Sequence, residues 1–131
     1  MLNPSTADGE QDDPTIRRCV GFARREGFGR LEVVNLYGYR ATEPKVLIEA
    51  DDPVGVGNDL AIAGALRRAD RVIVAWGNQG GVDAGRIAVI REMVEEAECA
   101  VMCFGVTSLG QPRHPRYLSG DAELVEFRGG V

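Results

Sequence analysis

"RVIVAWG" (Arg71–Gly77) is the stretch that decides the fold class. Val72, Ile73, Val74 and Ala75 follow one another with no polar alternation. A strand with one wet face alternates apolar and polar residues, whereas a strand covered on both faces reads as a continuous apolar run. Two other runs share this character: "LEVVNLY" (Leu31–Tyr37) and "AVMCFGV" (Ala100–Val106). All three are predicted to be strands of one mainly parallel sheet.

Helical periods fill the intervals. Asp13 is an N-cap with Pro14 in the first turn, followed by an apolar stripe of Ile16, Cys19, Val20 and Ala23, and Gly27 ends the helix. A second helix is predicted from about Asn58 to Arg68 with Leu60, Ala63 and Leu66 on its apolar face. A third starts at Asp83 and buries Ile87, Ile90, Val94 and Ala97. Alternating helices and strands predict a single α/β domain over 1–131, a three-layer α/β/α sandwich around the parallel sheet. The long polar segment Gly38–Gly57 reads as a functional loop with a short helix after Pro44. The tail "LVEFRGGV" reads as an added edge strand.

The chain has 131 residues, 44% of them hydrophobic, and a net charge of −5. That length supports one core without disulfide staples. The acidic balance, with a pI near 4.9, argues against a protein that grips duplex DNA by bulk charge, because Lys and Arg contacts to phosphate supply most non-specific affinity. Cys19, Cys99 and Cys103 form no C-x-x-C pair and read as buried free thiols of a reducing cytoplasm. One histidine and these spacings predict no metal site. No cofactor is implied either. No apolar run reaches the roughly 20 residues of a membrane span, and no signal peptide is read ahead of the first motif, so a cytoplasmic protein with no membrane partner is expected.

Polar residues cluster where parallel strands end, which is where open α/β sheets bind ligands. "MLNPSTAD" carries Asn3, Ser5 and Asp8, and "VVNLYGYR" carries Asn35, Tyr37 and Arg40. "AWGNQGG" carries Trp76 and Asn78. "GQPRHPRYLS" (Gly110–Ser119) carries Arg113, Arg116, Tyr117 and the only histidine, His114. A parallel sheet brings these segments to one edge. Duller readings stand beside this one. Asn3-Pro4 suits a simple turn, and Asn35 in an apolar strand is either a hydrogen-bond hub or a ligand reader. Trp76 reads as core before contact, and the proline-flanked His114 suits a surface turn. "DGEQDDP" fails calcium-loop spacing. "GVGND" lacks the third glycine of a dinucleotide fingerprint, and "GNQGGVDAG" offers backbone amides to a phosphate but lacks a P-loop ending.

In order, "LNPST", "VVNLYGYR", "VIVAWGNQG" and "HPRYLS" resemble the motifs of the uracil-DNA glycosylase superfamily. Over almost its whole length the chain more closely resembles a bacterial and phage family, domain-of-unknown-function family 1643, through "NPSTAD", "DPTIRRC", "VNLY-x-YRAT" and "HP-x-YL". The glycosylase resemblance implies that Asn35 reads the Watson–Crick edge of a base. It implies that Asn3 takes the water-positioning place, and that His114 stabilises negative charge on the base carbonyl as the glycosidic bond breaks. Ser5, Tyr37, Arg40, Trp76, Asn78, Arg113, Arg116 and Tyr117 would line the substrate. Asn3 departs from the pattern, since it cannot act as a general base as Asp could. Phe22 and Tyr37 are the candidates for a stacking aromatic. In these relatives a strand precedes "LNPST", so a shortened first strand is expected here.

Together these readings predict a protein that recognises a nucleobase, nucleotide or nucleic acid, with weak duplex binding, and with N-glycosidic hydrolysis as its candidate chemistry. The alternatives are a non-catalytic nucleotide or nucleobase binding module, and an interaction domain with a vestigial pocket.

Overall fold

The computed structural model describes residues 1, 13–37, 54–55, 57–80 and 83–128. Helix α1 spans Pro14–Arg25, α2 Asn58–Arg68, α3 the single turn Gly77–Gly80, and α4 Ala84–Glu96. Strands β1 (Val72–Ile73), β2 (Val101–Cys103) and β3 (Val125–Glu126) form one sheet in the order β1-β2-β3, and a 3₁₀ turn at Pro115–Tyr117 follows β2. The protein is therefore α/β.

Local chemistry explains the helices. The Asp13 carboxylate accepts from Thr15 N at 2.9 Å and Ile16 N at 3.2 Å, satisfying amides that the first turn leaves without partners. Asp83 does the same for Arg86 N at 3.0 Å at the start of α4. In α2 the side chain of Asn58 donates to the carbonyls of Asn35 and Leu36, which sets the helix rotation. Ile62 and Leu66 then enter the core while Leu60 stays in solvent, contrary to the apolar stripe expected through Leu60.

The sheet differs from the expectation. β1 pairs with β2 in parallel, Val72 opposite Val101. β2 pairs with β3 antiparallel, Cys103 opposite Val125. The sheet is thus mixed rather than mainly parallel, and it is the tail, expected as an edge strand, that supplies the antiparallel member. The predicted strands Arg71–Gly77 and Ala100–Val106 shorten to two and three residues. Gly77 itself opens α3. Among the described residues, Leu31–Tyr37 forms no strand of this sheet. It runs extended, and its backbone instead meets Met1, which donates to Val34 O at 3.0 Å and accepts from Leu36 N at 2.9 Å. Apolar character made this run strand-like, but a strand is defined by its neighbour, and β1 does not adjoin it. The short helix expected after Pro44 lies outside the described residues.

Two apolar clusters form the core. Leu36, Tyr37, Ile62, Leu66, Val74, Trp76, Ile90, Val94 and Cys103 make the larger one, joining α2 and α4 to the sheet. Phe22, Phe104 and Leu118 make the smaller, with the Phe22 and Phe104 rings 4.4 Å apart. Cys103 and Phe104 are chain neighbours that enter different clusters, as successive residues of extended chain do. Of the three free thiols, Cys103 is fully buried while Cys19 and Cys99 are half-buried, so the expectation of three buried cysteines holds for one.

Candidate functional site

The loop that carries His114 is built from β2 outward. Gly105 (φ +90°) turns the chain, Val106 and Pro112 face each other in an antiparallel bridge, and Gly110 (φ +78°) closes the hairpin. Arg113 N returns to Gly105 O at 3.0 Å. Three contacts fasten this hairpin to the end of β1. Trp76 Nε1 donates to Gln111 Oε1 at 2.8 Å, Gly77 N donates to Pro112 O at 2.8 Å, and Thr107 Oγ1 donates to Asn78 Oδ1 at 2.5 Å. Trp76 is thereby core and anchor, 3% exposed. Gly77 is forced: its φ is +73°, and a Cβ there would lie 3.3 Å from His114 Cβ.

Pro112 and Pro115 are fully buried on either side of the histidine. Helix α1 braces the turn from outside, through Phe22 packing on Leu118 and through Arg18, whose guanidinium donates to Leu118 O. His114 caps the turn itself, with Nδ1 accepting from Arg116 N at 3.1 Å. In a neutral ring the proton then sits on Nε2, which is left as a donor. Burial lowers the pKa of His114. The Met1 ammonium and Arg116 lower it further, against an opposing pull from Asp13. Burial is the largest of these causes, and Arg113 is not among them. Arg113, Arg116 and Tyr117 point outward. Tyr117 is 72% exposed, with its ring 6.2 Å from His114 and beneath the Arg116 guanidinium at 5.8 Å.

Asn35 meets this region through Met1. The two Met1–Val34 and Met1–Leu36 bonds are one rung of parallel pairing with Asn35 opposite Met1. That rung lies within electrostatic reach of His114. The Oδ1 atom of Asn35 is buried without a hydrogen-bond partner. Tyr37 turns instead into the core, donating to Asp83 Oδ2 at 3.3 Å. Burial first, and Asp83 second, push its pKa up to about 12. Phe22 is likewise core, and neither candidate stacking ring is free. Asn3, Ser5 and Arg40 lie outside the described residues, as does Asp8.

Arg86 is a buried charge that pattern reading missed. It is 6% exposed and donates from Nε to Leu36 O at 2.7 Å. Its Nη1 meets Asp59 at 2.7 Å, and Nη2 is buried without a partner. One signal was available: a cation in the first turn of a helix opposes the helix dipole, so it needs a reason to be there.

A cavity of about 300 Å³ lies between Leu31–Leu36 on one side and Arg71–Trp76 on the other, with Met1, Phe104 and Pro115 among its walls. No group of His, Cys, Asp and Glu among the described residues forms a metal site. No helix among them is long and apolar enough to cross a membrane.

A family model described as a protein of unknown function (DUF1643) matches residues 1–116. The chain belongs to this family. The span matched by domain-of-unknown-function family 1643 contains Asn35, Trp76–Asn78 and His114, and stops before Tyr117 and β3. No curated protein and no solved structure matches the chain.

Proposed function

We propose that this protein recognises a nucleobase at the edge where Met1, Asn35, Gly77 and His114 meet, in the manner of the uracil-DNA glycosylases it resembles. The buried, unpartnered Oδ1 of Asn35 carries the reading. A buried carbonyl left without a donor costs about 1–3 kcal/mol, and the N–H edge of a base is a planar donor suited to it. His114 supports the same reading, because its Nδ1 is occupied and its ring is kept neutral, so Nε2 offers a proton to a base carbonyl.

Such a donor supplies the charge stabilisation that N-glycosidic cleavage needs, worth about 10²–10³ in rate for one well-placed group. Recognition alone needs only the donor and acceptor pair, and a binding module without chemistry is the second reading, favoured by Asn3 in place of a general base. A three-layer α/β/α arrangement is part of the proposal. It is supported by the division of Cys103 and Phe104 between two apolar clusters, one with α2 and α4 and the other with α1.

A thermal-shift screen against free bases, nucleosides and nucleotides tests the reading. At 100 times its dissociation constant a ligand adds about 2.7 kcal/mol, which is several degrees for a domain of this size. The expected outcome is stabilisation by at least one base-containing ligand, lost in Asn35→Ala and reduced in His114→Ala. Stabilisation that persists in both variants would place the ligand elsewhere.

A further inference from the structure

Two buried side-chain atoms among the described residues lack a hydrogen-bond partner, Asn35 Oδ1 and Arg86 Nη2. The nucleobase reading uses the first and leaves the second unexplained. A guanidinium carries five N–H donors and no acceptor. In Arg86, 6% exposed, Nε donates to Leu36 O at 2.7 Å and Nη1 to Asp59 Oδ1 at 2.7 Å. The hydrogens of Nη2 have no acceptor. Asp83, the carboxylate nearest in sequence, is committed elsewhere: Oδ1 accepts from the Arg86 amide and Oδ2 from the Tyr37 hydroxyl. A buried cation short of acceptors is costly, and an anion is the group that best relieves it.

The same guanidinium lies against the first turn of α2, because Asp59 is the second residue of that helix. Helices α1 and α4 begin behind Asp13 and Asp83, whose carboxylates accept first-turn amides. Helix α2 begins behind Gly57, which has no side chain to do so. Gly57 stands at φ +77°, and a Cβ there would meet nothing within 4 Å, so the helix start is open on that side. The first-turn amides and the helix dipole favour an anion at such a start. The Asp59 side chain is 53% exposed while its partner is buried. Its carboxylate can therefore swing into water and yield its place to another anion.

We propose that Arg86 and the first turn of α2 form a binding site for a phosphate group. Nη2, joined by Nη1 once Asp59 moves aside, holds phosphate oxygens in the fork that a guanidinium offers. The backbone amides of the α2 first turn hold another. Asn58, the first residue of α2, donates to the carbonyls of Asn35 and Leu36. The phosphate site thus adjoins the residue proposed to read the base. Resting on the nucleobase reading, the ligand is then a nucleoside phosphate rather than a free base.

¹H–¹⁵N spectra should follow the Arg86 Nε–H and the Asp59 and Leu60 amides while inorganic phosphate is titrated at fixed ionic strength. A saturable shift of all three is expected in the unmodified chain. Asp59→Asn should bind phosphate about threefold tighter or more, because a half-exposed like charge is removed. Arg86→Lys should bind it at least about tenfold more weakly, having lost the fork. The proposal is overturned by the absence of a saturable shift in both the unmodified chain and Asp59→Asn. It is equally overturned by no gain in Asp59→Asn or by undiminished binding in Arg86→Lys. Should Arg86→Lys fail to fold, the Asp59→Asn comparison decides alone. Each nucleoside is then compared with its monophosphate in the same spectra. Tighter binding of the monophosphate, with the preference lost in Arg86→Lys, is expected. Phosphate binding with no response to any nucleoside would uphold this site and sink the nucleobase reading. A nucleoside response with no preference for the monophosphate, and none to inorganic phosphate, would do the reverse.

Discussion

Asn35 is a carboxamide in an apolar run whose Oδ1 is buried without a partner, so its presence weakens the fold. Replacing it by a similarly sized apolar residue removes the cost of desolvating that oxygen. Asn35→Leu is therefore expected to leave stability unchanged or raise it by up to about 1 kcal/mol, while abolishing any response to base ligands. Urea denaturation beside the ligand screen checks both halves. A loss of 2 kcal/mol or more would make Asn35 a structural hub. His114 gives a second expectation at this scale. Its folded pKa is depressed, so the unfolded chain takes up a proton first on acidification. Its stabilising contribution is complete above about pH 6.5 and is lost as pH falls from there through the folded value. Met1 acts with the same sign between pH 8.0 and about 6. Denaturation midpoints measured from pH 8 to 5 should fall, and His114→Gln should flatten the lower part of that slope.

Elements differ in how much of them was legible from residues. The starts of α1 and α4 follow from Asp13 and Asp83, because caps and first turns are local chemistry. Strands are not local. Leu31–Tyr37 and Arg71–Gly77 look alike in sequence, yet among the described residues only the latter contains a sheet strand, since β2 lies beside it while Met1 pairs with the backbone of the former at a single rung. The same limit applies to the site. Asn35 and His114 stood out as polar residues in unexpected places, whereas Arg86 is significant only through partners from α2 and the Leu36 carbonyl. Two variants test the elements that hold the histidine loop. Asp13→Ala removes the α1 cap and should cost about 1 kcal/mol. Gly77→Ala places a side chain at φ +73° against His114 and should cost about 1–2 kcal/mol or more, with a shift of the imidazole resonances. Unmoved resonances would mean that the turn does not position the ring.

For the whole molecule, a charge of −5 sets the terms of any encounter with nucleic acid. Arg113 and Arg116 project from the loop beside Tyr117, a small basic patch on an acidic protein. Duplex binding is expected to be weak and to fall steeply with salt, and it should vanish when Arg40, Arg113 and Arg116 are all Ala. Tight binding that survives high salt, measured by fluorescence anisotropy, would contradict this.

The central claim is that Asn35 and His114 face one base, and the lone imidazole reports on it without ambiguity. ¹H–¹³C spectra of the His114 ring should be followed while uracil, thymine, cytosine, adenine and guanine derivatives are titrated in turn. A saturable shift with at least one of these, absent in Asn35→Ala, is the predicted result. Resonances that no base or nucleotide moves, or that move equally without Asn35, would contradict it.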